Sequence, residues 1–512
     1  MLLRRERRTV QALVVGAGFA GLGMAIRLEQ AGIHEFLVFE RHDSVGGTWW
    51  ENTYPGCACD VPSHLYSFSF EPNPSWTLPY APQKEILEYL RGCVDKYGLV
   101  DRIRFRSNVV RAEFDEEQGL WEVETEDGAL FAAPVLVLGT GPLNRPIYPD
   151  IPGLDSFRGP SFHSARWDHS VPLAGKTVAV VGTGASAIQI VPAIAPEVGR
   201  LQVFQRNPPW ILPKRNGEIN EQARARFARS PALQHALRAG IYGITELFGL
   251  GFTYAPRVMD VFAAASRRYL EKSIPDPSLR AKLTPGYRMG CKRVLFSNDY
   301  YPALLRDNVE LVTDRIVEVR ERSIVTEHDG TRRERPIDVL VLATGFEAAE
   351  MTAPFPIRGR GGRTIDESWT SGPEGYRGTT FAGFPNLFMI IGPNTGLGHT
   401  SMVVMMEAQI GYILGALRAM KKRNLKFVDV RPEAQRRYNQ RLQARLARSV
   451  WNTGGAKSWY LTRGGKNTTL WPGLTMEYRL RMKRFDVEAY ECVPAGAAAR
   501  APRENGARWA AA

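Results

Sequence analysis

The apolar positions of the chain gather in short unbroken runs, and several of these runs lead into glycine turns. Ala12-Leu13-Val14-Val15 is one such run, the pattern of a parallel strand covered on both faces. Gly16-Ala17-Gly18-Phe19-Ala20-Gly21 follows it. Leu22 to Gln30 then keeps helical spacing, with Gly32 as its stop. Phe36-Leu37-Val38-Phe39 predicts a second strand, ending at Glu40. The same unit returns later as the strand Thr177 to Val181, the turn Gly182-Thr183-Gly184-Ala185-Ser186-Ala187 and a helix through Ile188 and Ile190. Its next strand, Leu201 to Phe204, ends in Gln205-Arg206.

Two more apolar strands end in related turns. Pro134 to Leu138 leads to Gly139-Thr140-Gly141, and Ile337 to Leu342 leads to Ala343-Thr344-Gly345. Such turns suit the points where a chain passes between two nested nucleotide domains. Residues 211–284 differ from their surroundings: they are helical in period, rich in Ala, Arg and Leu, and carry Tyr242, Phe248, Phe252 and Tyr254. The predicted fold is α/β, with two nested Rossmann-like dinucleotide-binding domains and a helical insertion.

Composition narrows the reading. The chain has 512 residues, 44% hydrophobic and 23% charged, which is globular. Its net charge of +13 raises nucleic acid as a partner, but no stripe of basic and aromatic residues runs through the predicted domains. Arg4, Arg5, Arg7 and Arg8 crowd one end, and Arg500, Arg503 and Arg508 sit in an Ala-rich tail. No nucleic-acid partner is expected. Five cysteines, an odd count, favour a reducing compartment, and the expected location is cytoplasmic. They include no second pair for a structural zinc, so no metal is expected. The opening MLLRRERRTV has charge but no apolar run, and reads as no signal peptide. Val403 to Met420 is the most apolar stretch, yet Glu407, Gln409 and Arg418 interrupt it. It reads as a buried helix, and no transmembrane segment is expected.

The glycine turns carry the chemistry. Gly16, Gly18 and Gly21 follow a strand and open a helix, and Glu40 closes the next strand. The glycines let a pyrophosphate approach the helix N-terminus, and Glu40 can accept from a ribose diol. At the second turn the third position is Ala187, and the following strand ends in Arg206. Arginine favours a 2′-phosphate where a carboxylate would repel it, which points to NADP(H). A solvated strand end is the other reading of Arg206. Two dinucleotide sites in one chain imply electron transfer from nicotinamide to flavin. Disulfide reductases share this plan and place a C-x₄-C pair near residue 49. Here Trp49 stands there, and Cys57 and Cys59 are spaced C-x-C, so dithiol chemistry is not expected.

Between the turns runs Phe157-Arg-Gly159-Pro-Ser-Phe-His163-Ser-Ala-Arg-Trp167-Asp168. It resembles the F-x-G-x-x-x-H-x-x-x-W-[PD] signature of type I Baeyer–Villiger monooxygenases, flavoproteins that use FAD and NADPH. Gly46-Gly47-x-Trp49-x₄-Tyr54-Pro55-Gly56-x₃-Asp60 is similar to that family's second signature. The resemblance spans roughly residues 10 to 485. It implies an FAD domain from 1–145 and 341–493, an NADP domain from 146–210 and 285–340, the insertion 211–284 within it, and a disordered tail, 494–512.

The resemblance also implies roles. Arg293 matches the catalytic arginine and Asp60 the carboxylate that positions it. FAD would lie against Gly16, Gly18, Gly21, Glu40, Gly47, Thr48, Trp49, Asp60, Tyr66, Val110 and Met402. NADP would meet Gly182, Thr183, Gly184, Ala185, Ser186, Ala187, Arg206, Asn207, Lys292 and Arg293. Trp459 resembles a tryptophan on a loop that closes over NADP; a core tryptophan is the other reading. His163 is expected to be structural or interdomain, and His399 to face solvent or to stabilise its turn. The implied reaction takes a ketone and O2 to an ester or lactone through a C4a-peroxyflavin. Oxygenation at sulfur or nitrogen, and an oxidase that turns NADPH into peroxide, stay open. Departures are Asn207, where many relatives have Thr, and the Gly464 to Thr469 stretch, which differs from a Gly-Ala-Asn pattern. The insertion's aromatics could rim a substrate channel or make peripheral membrane contact.

Overall fold

The computed structural model describes residues 7–215, 217–349, 353–455 and 460–496. Two parallel five-stranded sheets carry the two glycine turns. In the first, Ala12–Val15 lies at the centre, paired with Phe36–Phe39 on one side and Leu136–Leu138 on the other. Leu387–Met389 and Ile103–Arg104 close its edges. In the second, Thr177–Val181 is central between Arg200–Phe204 and Val339–Leu342, with Val309–Val312 and Ser161–His163 outside. Side chains of the central strands are buried on both faces, which is why their sequences read as continuous apolar runs.

The chain therefore leaves the first sheet after Leu138, builds the second, and returns to complete the first. Val339–Leu342 pairs as one strand with Val178 to Val181, so the return begins after Leu342 and not at 340. The two crossings run beside each other. Ile147 donates its N–H to the Gly345 carbonyl at 2.9 Å, and Glu347 donates to Arg145 at 3.0 Å. Antiparallel strands Val109–Asp115, Leu120–Thr125 and Leu130–Ala133 extend the first domain.

The insertion is helical as expected: Glu221–Arg229, Pro231–Thr253, Val258–Ser273 and Pro277–Leu283. Three of these starts are fixed by caps. Asn220, Ser230 and Asp276 each accept a backbone N–H of the first turn, and Pro231 and Pro277 follow the last two. Ile211–Leu212 pairs with Leu295–Phe296 and ties the insertion's two ends together. Although inserted in the second domain, its long helix packs on the first. Arg238 donates to the His64 carbonyl at 2.9 Å and to the Leu65 carbonyl at 3.1 Å.

The predicted tail start at Pro494 falls inside a strand. Tyr490–Pro494 pairs with Leu425–Val430, because Phe427, Val428 and Tyr490 bury their side chains there. Residues 497–512 of the predicted tail lie outside the described residues, as does Trp459.

Met402–Arg423 is long and apolar enough to cross a membrane by length and composition, but half of its most apolar window is buried inside the fold. Its interior glutamine explains why. The Gln409 amide donates to Thr379 Oγ1 at 2.9 Å and the Gly378 carbonyl at 3.0 Å, and accepts the Ile391 N–H at 2.9 Å. This one side chain straps the helix to the loops behind Leu387–Met389. Gln409→Leu orphans those groups and is expected to cost about 3 kcal/mol at one to three per unsatisfied group. Urea unfolding of the two proteins checks it; equal midpoints would show that the strap carries no stability.

Candidate active site

The first glycine turn has no room for side chains. A Cβ at Gly21 would lie 1.7 Å from the Gly16 carbonyl oxygen, and one at Gly16 would lie 2.7 Å from that of Gly139. Gly16 also has φ +98°, which disfavours any other residue. The helix Phe19–Gln30 starts here at Gly18 without a side-chain cap, so its first N–H groups are free for an anion. Glu40 is 5% exposed. Its two carboxylate oxygens accept the N–H of Ala17 at 2.8 Å and of His42 at 3.0 Å. Those bonds aim the carboxylate at the turn.

A cavity of about 180 Å³ opens over this turn, and Gly16, Gly18, Glu40, Gly47, Thr48, Trp49 and Tyr66 line it. Trp49 donates its indole N–H to Tyr66 at 3.2 Å. Two expected lining residues are displaced by one step of their elements. Val109 lines the cavity, whereas Val110 is 36% exposed, since neighbours on a strand point to opposite faces. Met406 lines it rather than Met402, one helical turn earlier. A cavity floored by free N–H groups and closed by a fixed carboxylate fits the pyrophosphate and ribose of FAD.

The second turn repeats the geometry with different chemistry. Gly182 has φ +117°, and a Cβ there would lie 2.4 Å from the Ala343 carbonyl oxygen. Gly184 faces open space. Thr183 donates to the Asn207 carbonyl at 3.1 Å, and Ala187 is fully buried as the helix Ala187–Ile194 begins. Ser186 precedes that helix without capping it through its side chain; Ala185 is exposed beside it. Arg206 is exposed, and Lys292 lies 4.9 Å above the Tyr287 ring. Among the described residues neither cation forms an ion pair. Burial, and then the charge of Arg206, push the Lys292 ammonium below its usual value. Two cations held together without a counter-ion beside a helix start fit the 2′-phosphate and pyrophosphate of NADP.

Arg293 and Asp60 meet between the turns. Arg293 Nε and Nη2 each donate to one oxygen of Asp60 at 2.6 Å. Burial alone would raise the Asp60 carboxyl, but the Arg293 charge outweighs it and holds the group below the usual carboxylate range. Asp60 in turn pushes the Arg293 guanidinium upward. This side-on pairing leaves Nη1 of Arg293 without a hydrogen bond among the described residues. Lys214 adds a third charge that favours the carboxylate, a residue that sequence reasoning did not single out. The loop that carries Asp60 is gripped by the second domain. Gln189 accepts from the Tyr54 hydroxyl at 3.1 Å and donates to the Ala58 carbonyl at 3.0 Å. A Cβ on Gly56 would lie 2.7 Å from the Gln189 carbonyl oxygen.

The Phe157 to Asp168 segment lies at the crossings. A Cβ at Gly159 would meet the Asp338 carbonyl oxygen at 2.4 Å and the Phe157 ring at 2.7 Å. His163 is fully buried between Tyr148 and Phe346, one from each crossing, and burial pushes its imidazole down to about 4. Its Nδ1 accepts the Ala165 N–H at 3.1 Å. Trp167 packs edge-on against Phe162, and Asp168 closes a turn by accepting the Ser170 N–H at 2.9 Å. None of these five side chains lines the flavin cavity. His399 does not face solvent: its side chain is 1% exposed, packed on Gly249 and Phe252 of the insertion, 3.8 Å from Glu246.

No disulfide joins any of the five cysteines among the described residues. Burial raises the Cys57 thiol to about 12 and the Cys59 thiol further, so neither is a thiolate at neutral pH. Among the described residues no group of three or more His, Cys, Asp or Glu could hold a metal.

Comparison with known proteins agrees with this geometry. A Pseudomonas aeruginosa Baeyer–Villiger monooxygenase is 50% identical over 484 residues, covering 94% of this chain and 91% of that one. The chain belongs to the Baeyer–Villiger monooxygenase family. Residues 13–229, which hold both glycine turns, match the pyridine nucleotide-disulphide oxidoreductase family. Cyclohexanone monooxygenase from Rhodococcus sp. Phi1 bound to NADP⁺ superimposes with a TM-score of 0.84 at 30% identity, covering 96% of this chain and 100% of that one. OTEMO in complex with FAD and NADP superimposes at 0.85 with 27% identity over 95% of this chain and 100% of that one. The protein is thus a flavin-dependent, NADPH-using monooxygenase of the Baeyer–Villiger family, with FAD and NADP as its cofactors.

Two outcomes follow. Iodoacetamide at pH 8 should label native enzyme only at Cys492, the one cysteine that is not buried, and all five after denaturation. Mass mapping reads this; rapid labelling at Cys57 or Cys59 would contradict the buried-thiol assignment. Arg206→Glu should raise KM for NADPH at least about tenfold while NADH changes little, since the loss falls on the 2′-phosphate contact. Steady-state kinetics with both coenzymes measures it.

Proposed function

We propose that this protein inserts oxygen into ketones to give esters or lactones, with NADPH and O2 as co-substrates, in the cytoplasm. The observation that carries the reading is the Arg293–Asp60 pair set between the two nucleotide cradles. FAD bound in the first cradle would accept hydride from NADPH in the second and supply the activated oxygen. Gly16, Gly18, Gly21 and Glu40 would hold FAD, and Arg206, Lys292 and the Gly182 turn would hold NADP. The task left to the protein is to stabilise negative charge at the reacting centre. Arg293 suits it. Its charge is permanent, Asp60 fixes the guanidinium plane, and Nη1 remains as a donor for an oxyanion. Asp60 keeps its own charge because its acidity is enhanced, so it orients Arg293 without exchanging protons.

Among the described residues we assign no general base. His163 is buried and neutral, and its position at the crossings supports a part in joining the domains. Five cysteines with no disulfide among the described residues support a reducing compartment.

The test uses FAD-loaded enzyme, NADPH, ¹⁸O₂ and a panel of linear, cyclic and aryl ketones with one thioether. An ester carrying one ¹⁸O is the expected product. Sulfoxide alone would move the reading to heteroatom oxygenation, and peroxide alone across ketone classes to an oxidase. Arg293→Ala should retain flavin reduction by NADPH and lose ester formation by about 10² to 10³. Equal ester yields from variant and wild type would remove Arg293 from the chemistry.

A further inference from the structure

A cavity of about 850 Å³ shares no residue with the flavin cavity. It lies between the helices Pro432–Leu446 and Thr475–Met482 and the segment before the last strand. Its walls carry Arg377, Arg431, Arg437, Arg441, Arg445 and Arg481. Three carboxylates also line it, Glu433, Asp486 and Glu488, leaving an excess of positive charge. Two of those acids are already taken. Asp486 receives Arg377 at 2.6 Å and the hydroxyls of Tyr376 and Tyr412, and Glu433 receives Arg436 from outside at 3.4 Å.

The remaining guanidiniums divide into two groups. Arg445 and Arg481 share Glu477 at 2.7 and 2.8 Å, and each guanidinium lies 5.6 Å from the Trp471 ring. Arg431, Arg437 and Arg441 form no ion pair or hydrogen bond through their side chains among the described residues. Arg437, Arg441 and Arg445 stand at successive i, i+4 positions on one helix face, where like charges weaken a helix. Glu477 holds Arg445, but Arg437 and Arg441 bring the fold no ion pair among the described residues. Tyr438 lines the same space, and its hydroxyl has no hydrogen-bond partner among the described residues, with Arg377, Arg445 and Arg481 all within electrostatic reach.

We propose that this cavity is a second anion site, separate from the redox centre, which binds a polyphosphate-bearing small molecule. Guanidinium forks match phosphate oxygens in pairs, and Arg431, Arg437 and Arg441 together suit a chain of phosphates better than a single anion. The phenol of Tyr438 supplies a neutral donor at the cavity wall.

Calorimetric titration of the holoenzyme tests this, with FAD bound and NADP⁺ saturating so that the Arg206 site is filled. Inorganic tripolyphosphate should bind at one saturable site per chain. The Arg437→Gln, Arg441→Gln double variant should bind it at least tenfold more weakly, while Arg333→Gln, an exposed charge elsewhere, should not. Arg437 and Arg441 are exposed, and unchanged flavin reduction by NADPH will show that the variant is folded. ATP binding tighter than tripolyphosphate would assign a nucleotide, and equal binding would assign the polyphosphate alone. Absence of a saturable site, or equal affinity in wild type and the double variant, would overturn the proposal.

Discussion

The Asp60–Arg293 ion pair ties the first domain to the chain that leaves the insertion. Asp60 comes from a loop of the first domain, Arg293 from the chain that returns out of the insertion, and they meet at 2.6 Å. The side chains are 22% and 34% exposed, and two bonds hold them together. What it fixes is position. A guanidinium anchored through Nε and Nη2 has one orientation, whereas a lone arginine on four rotatable bonds has many. Every element that places Asp60 or Arg293 therefore serves the same point.

Both family signatures are explained by that requirement. Tyr54, Gly56 and Ala58 press the Asp60 loop onto Gln189 of the second domain, and Gly56 is there because the helix backbone leaves no space for a Cβ. Gly159 and His163 do comparable work at the crossings, where Tyr148 and Phe346 enclose the imidazole. Neither segment touches the reaction through a base or a nucleophile. They hold two domains in register, and a shift of an ångström between domains would separate the cofactors and the arginine.

The sequence made the strand–glycine–helix units legible because each is local and its glycines answer to sterics a few residues away. Gly21, where a Cβ would lie 1.7 Å from its own turn's carbonyl oxygen, is such a case. Arg206 was read as a 2′-phosphate contact from its place at the end of a local strand, whereas Lys292 entered only through the family resemblance. Side-chain facing was harder. Val110 and Met402 each miss the cavity by one step of a strand or helix, since the phase of a short strand or a helix start is set by distant packing. His399 was misplaced because Gly249 and Phe252, which bury it, lie on an insertion far away in the chain. The same distance hid Lys214 beside Asp60 and kept the arginine-lined cavity invisible, as its walls come from several separated segments.

The nesting of the domains also orders events on the ribosome. The second sheet is drawn from residues 161 to 342 and is complete once that stretch has emerged. The first sheet is not: Leu136–Leu138 waits for its neighbour Leu387–Met389. At elongation rates of about 5–20 residues per second, that delay is on the order of tens of seconds. Throughout it, an apolar strand edge with unpaired N–H and C=O groups stands open beside the flavin cradle. The inner domain is thus finished first and serves as the surface on which the outer one closes, so flavin capture belongs to the last stage of biogenesis.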